Sequence, residues 1–198
     1  MAPNPLSDIR VIDFTQALSG PLATTLLADL GAEVVKIEPP HGGSQRRINS
    51  GGLRPNVMRN KQSLAVDLKQ PGSGELLEPL IELADVVIHN YAPGTMERLG
   101  FDYESVKRTN EEIVYVSLTG FGESGPYSHR KGFDSLAAAM SGLFWNTGEP
   151  DRNPSKIGGN AIDVGTGILT AFAIMTGLWN RNRGGGGTKI ETSLFEMA

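Results

Sequence analysis

Residues 10–38 read RVIDFTQALSGPLATTLLADLGAEVVKIE, and this stretch has the pattern of a β-α-β unit. Its two ends, residues 10–14 and 33–38, are short apolar runs that are typical of strands. Between them, Ser19 is a candidate N-cap and Gly31 a candidate C-terminal stop for a helix. The leucines of this helix recur at helical spacing, so its buried face is predicted to carry Leu22, Leu26 and Leu30, with Ala23 and Leu27 beside them.

The alternation of strand and helix continues along the chain. Further apolar runs predict strands at residues 63–67, 85–89, 113–117 and 189–193. Helical patterns predict helices at residues 72–84, 95–99, 103–109, 133–143 and 163–179. Continuous apolar strands that alternate with helices indicate a Rossmann-like α/β fold, with an open, mainly parallel sheet and helices on both of its faces.

The last helix of this series, residues 163–179, is apolar on most sides. It is predicted to be buried, because apolar residues recur at helical spacing at Ile168, Phe172, Met175 and Trp179. The chain has no uninterrupted apolar run of about 18 residues, so no membrane span is predicted. Its first residues lack the basic and apolar regions of a signal peptide, and a cytoplasmic location is the expectation.

Composition and charge exclude several classes of function. Hydrophobic residues make up 39% of the chain and charged residues 20%, which is typical of a globular protein. The net charge of −4 argues against a general nucleic-acid binder. The absence of cysteine excludes disulfides, thiolate metal sites and cysteine nucleophiles. No pair of the three histidines has metal-ligand spacing, and no metal site is predicted.

Two glycine-rich segments resemble phosphate-binding loops only in part. Gly120–Gly125 fits the pattern G-x-G-x-x-G after a strand, but the residues that follow, from Pro126 onward, are a poor helix start. A nicotinamide site is therefore not favoured. Gly184–Gly187 lies between a helix and a strand, where a helix end and a turn explain it better. His89 ends a strand at the expected ligand edge, where it is either a binding residue or a satisfied polar residue.

Asp163 is the most informative acid in the sequence. It opens the apolar helix within residues 160–167, NAIDVGTG, where it is either an N-cap or a carboxylate nucleophile. A helix N-terminus favours the ionised form of a carboxyl group, so Asp163 is expected to be ionised at neutral pH. Gly165 and Gly167 are expected to leave room for a bulky thioester. The residues alone leave both roles open.

Ordered segments along nearly the whole chain resemble family III of the CoA-transferases, which includes formyl-CoA transferase and carnitine CoA-transferase. The matching segments are residues 10–15, 19–21, 27–38, 60–63, 84–94, 98–101, 117–122, 131–134 and 163–167. Members of this family have a Rossmann-like large domain and a smaller second domain. The resemblance implies that residues 1–198 are the N-terminal portion of the large domain, and that the family's interlocked homodimer applies to the full-length protein.

The resemblance also implies a mechanism and a set of site residues. Asp163 matches the family's catalytic aspartate, which forms an acyl anhydride and then an aspartyl-CoA thioester without a metal. The substrates implied are an acyl-CoA and a free carboxylic acid. Coenzyme A is expected to lie along Gln16, Leu18, Lys61, Asn90, Tyr91, Arg98, Lys131 and Phe133. Of these, the three cations suit phosphates and Tyr91 offers a flat face for adenine.

Two alternatives to CoA transfer follow from the same resemblance. The related α-methylacyl-CoA racemases have a histidine where this chain has Phe133, and a phenyl ring cannot act as a base. This favours transfer over racemisation. A non-catalytic CoA-binding fragment is the other alternative, because members of the family are longer and complete the site with later residues.

Overall fold

The computed structural model describes residues 4–43 and 57–198 of the chain. Its strands are β1 (Arg10–Asp13), β2 (Glu33–Glu38), β3 (Lys61–Ala65), β4 (Val86–His89), β5 (Val114–Thr119) and β6 (Thr188–Ser193). Its α-helices are α1 (Ser19–Asp29), α2 (Ser73–Glu82), α3 (Thr95–Leu99), α4 (Tyr103–Thr109), α5 (Asp134–Met140), α6 (Ala161–Asn180) and α7 (Leu194–Met197). A short π-helical turn, Arg181–Gly185, follows α6.

The strands form one parallel sheet in the order β3-β2-β1-β4-β5-β6. The chain builds outward from β1 to β3 in one direction and then from β4 to β6 in the other. In such open sheets, ligands bind at the carboxyl ends of the two central strands, where the direction of winding changes. The predicted Rossmann-like fold class is therefore confirmed, and β1 and β4 mark the edge where a site is expected.

Alternate residues of the inner strands β1, β2, β4 and β5 pack against helices on opposite faces of the sheet. On one face, residues such as Val11 and Ile88 contact α1 and α6. On the other face, residues such as Ile12 and Val87 contact α2, α3 and α4. Both side-chain directions are buried in these inner strands, which explains why they carry continuous apolar runs, whereas the edge strands β3 and β6 are more polar and more exposed.

The start and the buried face of α1 differ from the prediction. The helix begins at Ser19, so Leu18 and not Ser19 is its N-cap residue. Leu22 and Leu26 are only partly buried, and Leu30 is 42% exposed. Ala23 and Leu27 are buried as predicted, and the other residues of the helix body that face inward are Thr24, Thr25 and Ala28. Small residues prevail there because α1 packs closely against both the sheet and α6, which leaves no room for a row of leucines.

Helix α6 is buried on one side only, which makes the prediction of a wholly buried helix wrong. Ile174 and Leu178 are buried against α1 and the sheet. On the opposite side, Ile168 is 55% exposed, Phe172 69% and Trp179 66%. Of this row, Trp179 has the guanidinium of Arg183 over its ring, at 5.7 Å from the centroid, and all three side chains remain largely exposed.

The apolar composition of α6 has a second consequence. Within the helical span Ala161–Gly185, an 18-residue window has a mean hydropathy of 1.6, and the span is long and apolar enough to cross a membrane by length and composition alone. The prediction of no span considered only uninterrupted apolar runs and did not anticipate this. About 44% of the apolar window lies buried against the rest of the protein, as expected for a helix that contributes to a core.

Candidate active site

A cavity of about 660 Å³ opens at the carboxyl ends of the central strands. The loops after β1, β4 and β5 form its walls, and the first turn of α6 contributes Asp163. Of the residues predicted to contact coenzyme A, the cavity is lined by Gln16, Asn90, Tyr91, Lys131 and Phe133. The structure therefore brings most of the predicted site to one place, around the predicted nucleophile.

The side chain of Asp163 projects into this cavity from the third residue of α6. Its Oδ1 accepts a hydrogen bond from the hydroxyl of Ser19, and no other described residue bonds to its carboxylate. Burial raises the pKa of Asp163, the negative charge of Asp134 raises it further, and the Ser19 hydroxyl opposes both. The expected effect of the helix N-terminus is thus outweighed, and the pKa moves in the opposite direction to the prediction.

Asp134 is the residue that caps α6. Its Oδ2 accepts hydrogen bonds from the backbone N–H groups of Ile162 and Asp163, each at 3.0 Å. Asp163 does not cap the helix, so the N-cap hypothesis for this residue is wrong. Asp134 opens α5 and reaches across to α6, and this contact fixes the backbone on which the Asp163 carboxylate stands.

The prediction that Gly165 and Gly167 leave space for a ligand is wrong. A Cβ on Gly167 would lie 2.7 Å from the carbonyl oxygen of Ser19. A Cβ on Gly165 would overlap the end of the Met197 side chain. The room beside these glycines is filled by the protein itself, and Gly167 serves to bring α6 close to the start of α1.

The loop after β1 is tied to the loop after β4. The backbone N–H of Gln16 donates to Asn90 Oδ1 at 2.7 Å, and Asn90 Nδ2 donates back to the Gln16 carbonyl at 2.8 Å. Gln16 Nε2 also donates to the Tyr91 hydroxyl at 3.3 Å. The next residue, Ala17, has a φ of 61°, a left-handed conformation that is uncommon for alanine. The two loops therefore form one braced wall of the cavity.

Lys61 lies behind this wall and not in the cavity. Its Nζ donates to Asp13 Oδ2 at 3.2 Å, to the Pro21 carbonyl at 2.7 Å and to Thr24 Oγ1 at 2.7 Å. The Lys61 side chain is 1% exposed, and burial lowers its pKa to about 8. All three protons of a Lys61 ammonium have protein acceptors, so Lys61 is not placed to contact a phosphate in the cavity.

Asp13 is the centre of a buried ionic cluster that also includes Lys36 and Lys61. Its Oδ1 lies 3.0 Å from Lys36 Nζ, and it accepts hydrogen bonds from Thr15 and Thr24 as well. Burial alone would raise the pKa of Asp13, but the two lysines hold it well below its ordinary value. Lys36 Nζ also donates to the Thr15 carbonyl, so the cluster anchors the start of the loop that carries Gln16.

Two other predicted contacts lie outside the lining of the cavity. Leu18 is 6% exposed and belongs to the packed interior. Arg98 lies on α3 with its guanidinium at the surface, where Nη2 donates to Thr95 Oγ1 at 3.0 Å. Lining residues that sequence analysis did not predict include Ser19, Arg130 and Asp134. Arg130 and Asp134 flank the predicted residues Lys131 and Phe133, so the same segment carried a signal for both.

His89 does not line the main cavity. It is 4% exposed, and its Nδ1 has no hydrogen-bond partner among the described residues. Burial lowers its pKa to about 4. His89 borders a separate cavity of about 20 Å³, together with Tyr115 and Glu123. The interpretation of His89 as a polar residue with all its hydrogen bonds satisfied is therefore wrong, because Nδ1 has no partner among the described residues.

Across residues 4–43 and 57–198, no cluster of three His, Asp or Glu side chains could hold a metal ion. The cavity offers two carboxylates, Asp134 and Asp163, hydroxyl groups such as those of Ser19 and Tyr91, and two cations, Arg130 and Lys131.

Many enzymes and ligand-binding proteins share an open α/β sheet with a ligand site at the point where the winding changes direction. Comparison of the sequence with known proteins identifies the family within this class. CoA-transferase family III matches residues 6–198, and the chain belongs to this family. The chain is 41% identical to succinyl-CoA:glutarate CoA-transferase of Mus musculus over 198 residues, covering 96% of the chain and 45% of that protein. It is 37% identical to acetyl-CoA:oxalate CoA-transferase of Acetobacter aceti, covering 97% of the chain and 51% of that protein.

Solved structures agree with this assignment. A CAIB/BAIF family protein from Brucella suis superposes with a TM-score of 0.91 at 36% sequence identity, covering 98% of this chain and 54% of that one. The chain thus spans about half the length of the relatives that it matches. The matched half includes Asp163 and the cavity around it.

Proposed function

We propose that this chain carries the nucleophile of a CoA-transferase that moves coenzyme A from an acyl-CoA to a free carboxylic acid. The observation that carries the proposal is the Asp163 carboxylate. It projects into the cavity at the switch point of the sheet, with Oδ1 held by Ser19 and Oδ2 without a partner among the described residues. A carboxylate in this position suits attack on a thioester.

The proposed reaction conserves atoms and charge through two exchanges. Asp163 Oδ2 attacks the acyl carbon of the thioester, the C–S bond breaks, and a mixed anhydride and the CoA thiolate form. The thiolate then attacks Cγ of Asp163, the Cγ–Oδ2 bond breaks, and the donor acid leaves as a carboxylate. An aspartyl-CoA thioester remains, and the acceptor acid reverses both steps to form the new acyl-CoA.

Binding of coenzyme A is assigned to the predicted residues that line the cavity. Lys131 is the predicted cation at the cavity and suits a phosphate group. Tyr91 offers a flat face for the adenine ring, and Gln16 and Asn90 shape the wall beside it. The interlocked homodimer and the cytoplasmic location belong to the same proposal, since the family resemblance and the composition imply them.

The related racemase activity is less well supported. Phe133 lines the cavity at the position where racemases of this superfamily carry histidine, and it offers no proton acceptor. The names of the relatives give succinyl-CoA or acetyl-CoA as donors and glutarate or oxalate as acceptors. We propose donors and acceptors of this kind, a short acyl-CoA and a small dicarboxylic acid.

Intact-protein mass spectrometry tests the proposal. The chain is incubated with succinyl-CoA or acetyl-CoA, quenched in acid and weighed. We expect a covalent CoA adduct on the wild-type chain and none on Asp163→Asn. Asp151→Asn is the matched control, because Asp151 is exposed on a loop and does not line the cavity, and its adduct should equal that of the wild type.

Two results would contradict the proposal. An adduct that persists in Asp163→Asn would place the nucleophile elsewhere. A wild-type chain that forms no adduct, while retaining a normal thermal transition, would favour the non-catalytic CoA-binding role for these 198 residues. Exchange of the α-proton of the acyl-CoA for deuterium without any CoA adduct would instead favour racemisation.

A further inference from the structure

The hydroxyl of Ser19 is held in a fixed position against the Asp163 carboxylate. Ser19 is 4% exposed and is the first residue of α1. Its carbonyl oxygen packs so closely against α6 that a Cβ on Gly167 would lie only 2.7 Å away. Ser19 is therefore confined by the packing of two helices, and its hydroxyl donates to Asp163 Oδ1 rather than to solvent.

The support for this contact extends into the core. The loop that leads to Ser19 is anchored at Thr15, whose hydroxyl donates to the buried Asp13 at 2.6 Å. On the other side, Asp134 fixes the backbone of Asp163 through its hydrogen bond to the N–H group at 3.0 Å. Both partners of the Ser19–Asp163 pair are thus positioned by rigid elements, which is the arrangement expected of a preorganised site.

We propose that Ser19 is a catalytic residue that acts on Asp163, an inference that rests on the function proposed above. Its hydroxyl holds Oδ1, so Oδ2 is the oxygen that attacks the acyl carbon. The same hydroxyl then stabilises the negative charge that develops on Oδ1 when the CoA thiolate attacks Cγ.

The charge balance of the second step explains why a donor at Oδ1 is useful. When the thiolate sulfur bonds to Cγ, the electron pair of the Cγ–Oδ1 double bond moves onto Oδ1. The Ser19 proton stays on Ser19 and strengthens its hydrogen bond to this oxyanion. The double bond re-forms as the Cγ–Oδ2 bond breaks and the donor carboxylate departs. No proton is transferred, so Ser19 needs no neighbouring base.

The test measures the rate of CoA-adduct formation as a function of acyl-CoA concentration, by rapid quench and intact-protein mass spectrometry. We expect Ser19→Ala to lower the maximal rate about 100-fold, as for the loss of an oxyanion donor, with the half-saturating acyl-CoA concentration unchanged. Ser19→Thr keeps the hydroxyl and should recover most of the rate. Ser141→Ala is the matched control, because the Ser141 hydroxyl bonds to the Ala138 carbonyl outside the cavity lining.

The outcomes separate this inference from the proposed function. If wild type and Ser19→Ala react at the same rate, Ser19 is not catalytic while the proposed function stands. If Ser19→Ala raises the half-saturating concentration and leaves the maximal rate unchanged, the hydroxyl serves binding and the inference is overturned. If wild type forms no adduct, the proposed function fails and takes this inference with it. Thermal unfolding of each variant shows whether a slow rate reflects loss of the fold.

Discussion

The properties of single side chains in this protein depend more on their tertiary neighbours than on their place in the sequence. Asp163 sits in the first turn of a helix, where the backbone N–H groups favour a negative charge. Burial and the nearby Asp134 charge nevertheless raise its pKa. A carboxylate with a raised pKa is a better nucleophile than an ordinary one as long as it stays ionised, so the shift suits the proposed chemistry.

His89 gives the clearest pH dependence at this scale. Its pKa is lowered from 6.5 to about 4 by burial, so the folded protein resists protonation of the ring. The unfolded chain takes up this proton as the pH falls below 6.5, and the folded state does so only near pH 4. The free energy of unfolding therefore includes the full contribution of neutral His89 above pH 6.5. It falls by about 3 kcal/mol as the pH drops from 6.5 to about 4.

Urea unfolding at pH 7.5 and at pH 4.5 tests this prediction. We expect His89→Gln to lose less stability than the wild type between the two pH values. His129→Gln is the control, because His129 is exposed, and it should follow the wild type. Equal pH dependence in the wild type and His89→Gln would show that the ring is protonated without cost in the folded protein.

At the scale of elements, the site depends on the close packing of α1 against α6. Glycine at position 167 permits this approach, and the result is the contact between Ser19 and Asp163. The buried cluster of Asp13, Lys36 and Lys61 acts on the same region, because it links β1, β2 and β3 to the first turns of α1. The candidate nucleophile Asp163 lies on α6, and the neighbouring elements α1, β1, β2 and β3 fix its surroundings.

The two glycines of α6 provide a matched pair of substitutions. In Gly167→Ala the new methyl group meets the Ser19 carbonyl, a backbone atom that cannot move independently. We expect a loss of about 1–3 kcal/mol of stability and a strong loss of adduct formation. In Gly165→Ala the methyl group meets only the flexible end of Met197. Better helix propensity should then offset the contact to within about 1 kcal/mol.

Thermal unfolding and the mass-spectrometric adduct assay measure both variants. If Gly167→Ala proved as stable and as reactive as Gly165→Ala, the close approach of the two helices would not be required for the site.

At the scale of the whole molecule, one side of α6 exposes apolar side chains to solvent. Ile168, Phe172 and Trp179 form an exposed apolar row on a helix whose other side belongs to the core. The chain spans about half the length of its relatives, and contiguous apolar surface of this kind is typical of an interaction face.

Substitutions on the two sides of α6 test this orientation. We expect Phe172→Gln to change stability by no more than about 0.5 kcal/mol, because the ring is 69% exposed, and to reduce the binding of a hydrophobic fluorescent dye. Ile174→Ala should cost about 2–5 kcal/mol, because Ile174 is fully buried between α6 and the sheet. Chemical unfolding measures both, and a costly Phe172→Gln would mean that this side of the helix is covered.

Much of the fold was predictable from the sequence, because it depends on local patterns. The apolar run at residues 33–38 and the helices at residues 95–99 and 103–109 occur where they were predicted, and the parallel sheet follows from the alternation of these elements. The start of α6 was less well predicted, since its capping residue Asp134 lies far away in the sequence. The identity of the candidate nucleophile was also open until the family resemblance was considered.

The sequence by itself determined the fold class, the family and the residue that is the candidate nucleophile. Periodicity, helix ends and motif order depend on residues that are close in the sequence, so they can be recognised without the tertiary structure. Only the tertiary structure decided that Lys61 belongs to a buried ion pair, that one side of α6 is exposed, and that Ser19 bonds to Asp163. These features join residues that are distant in the chain, and the packing of the sheet and helices alone brings them within contact distance.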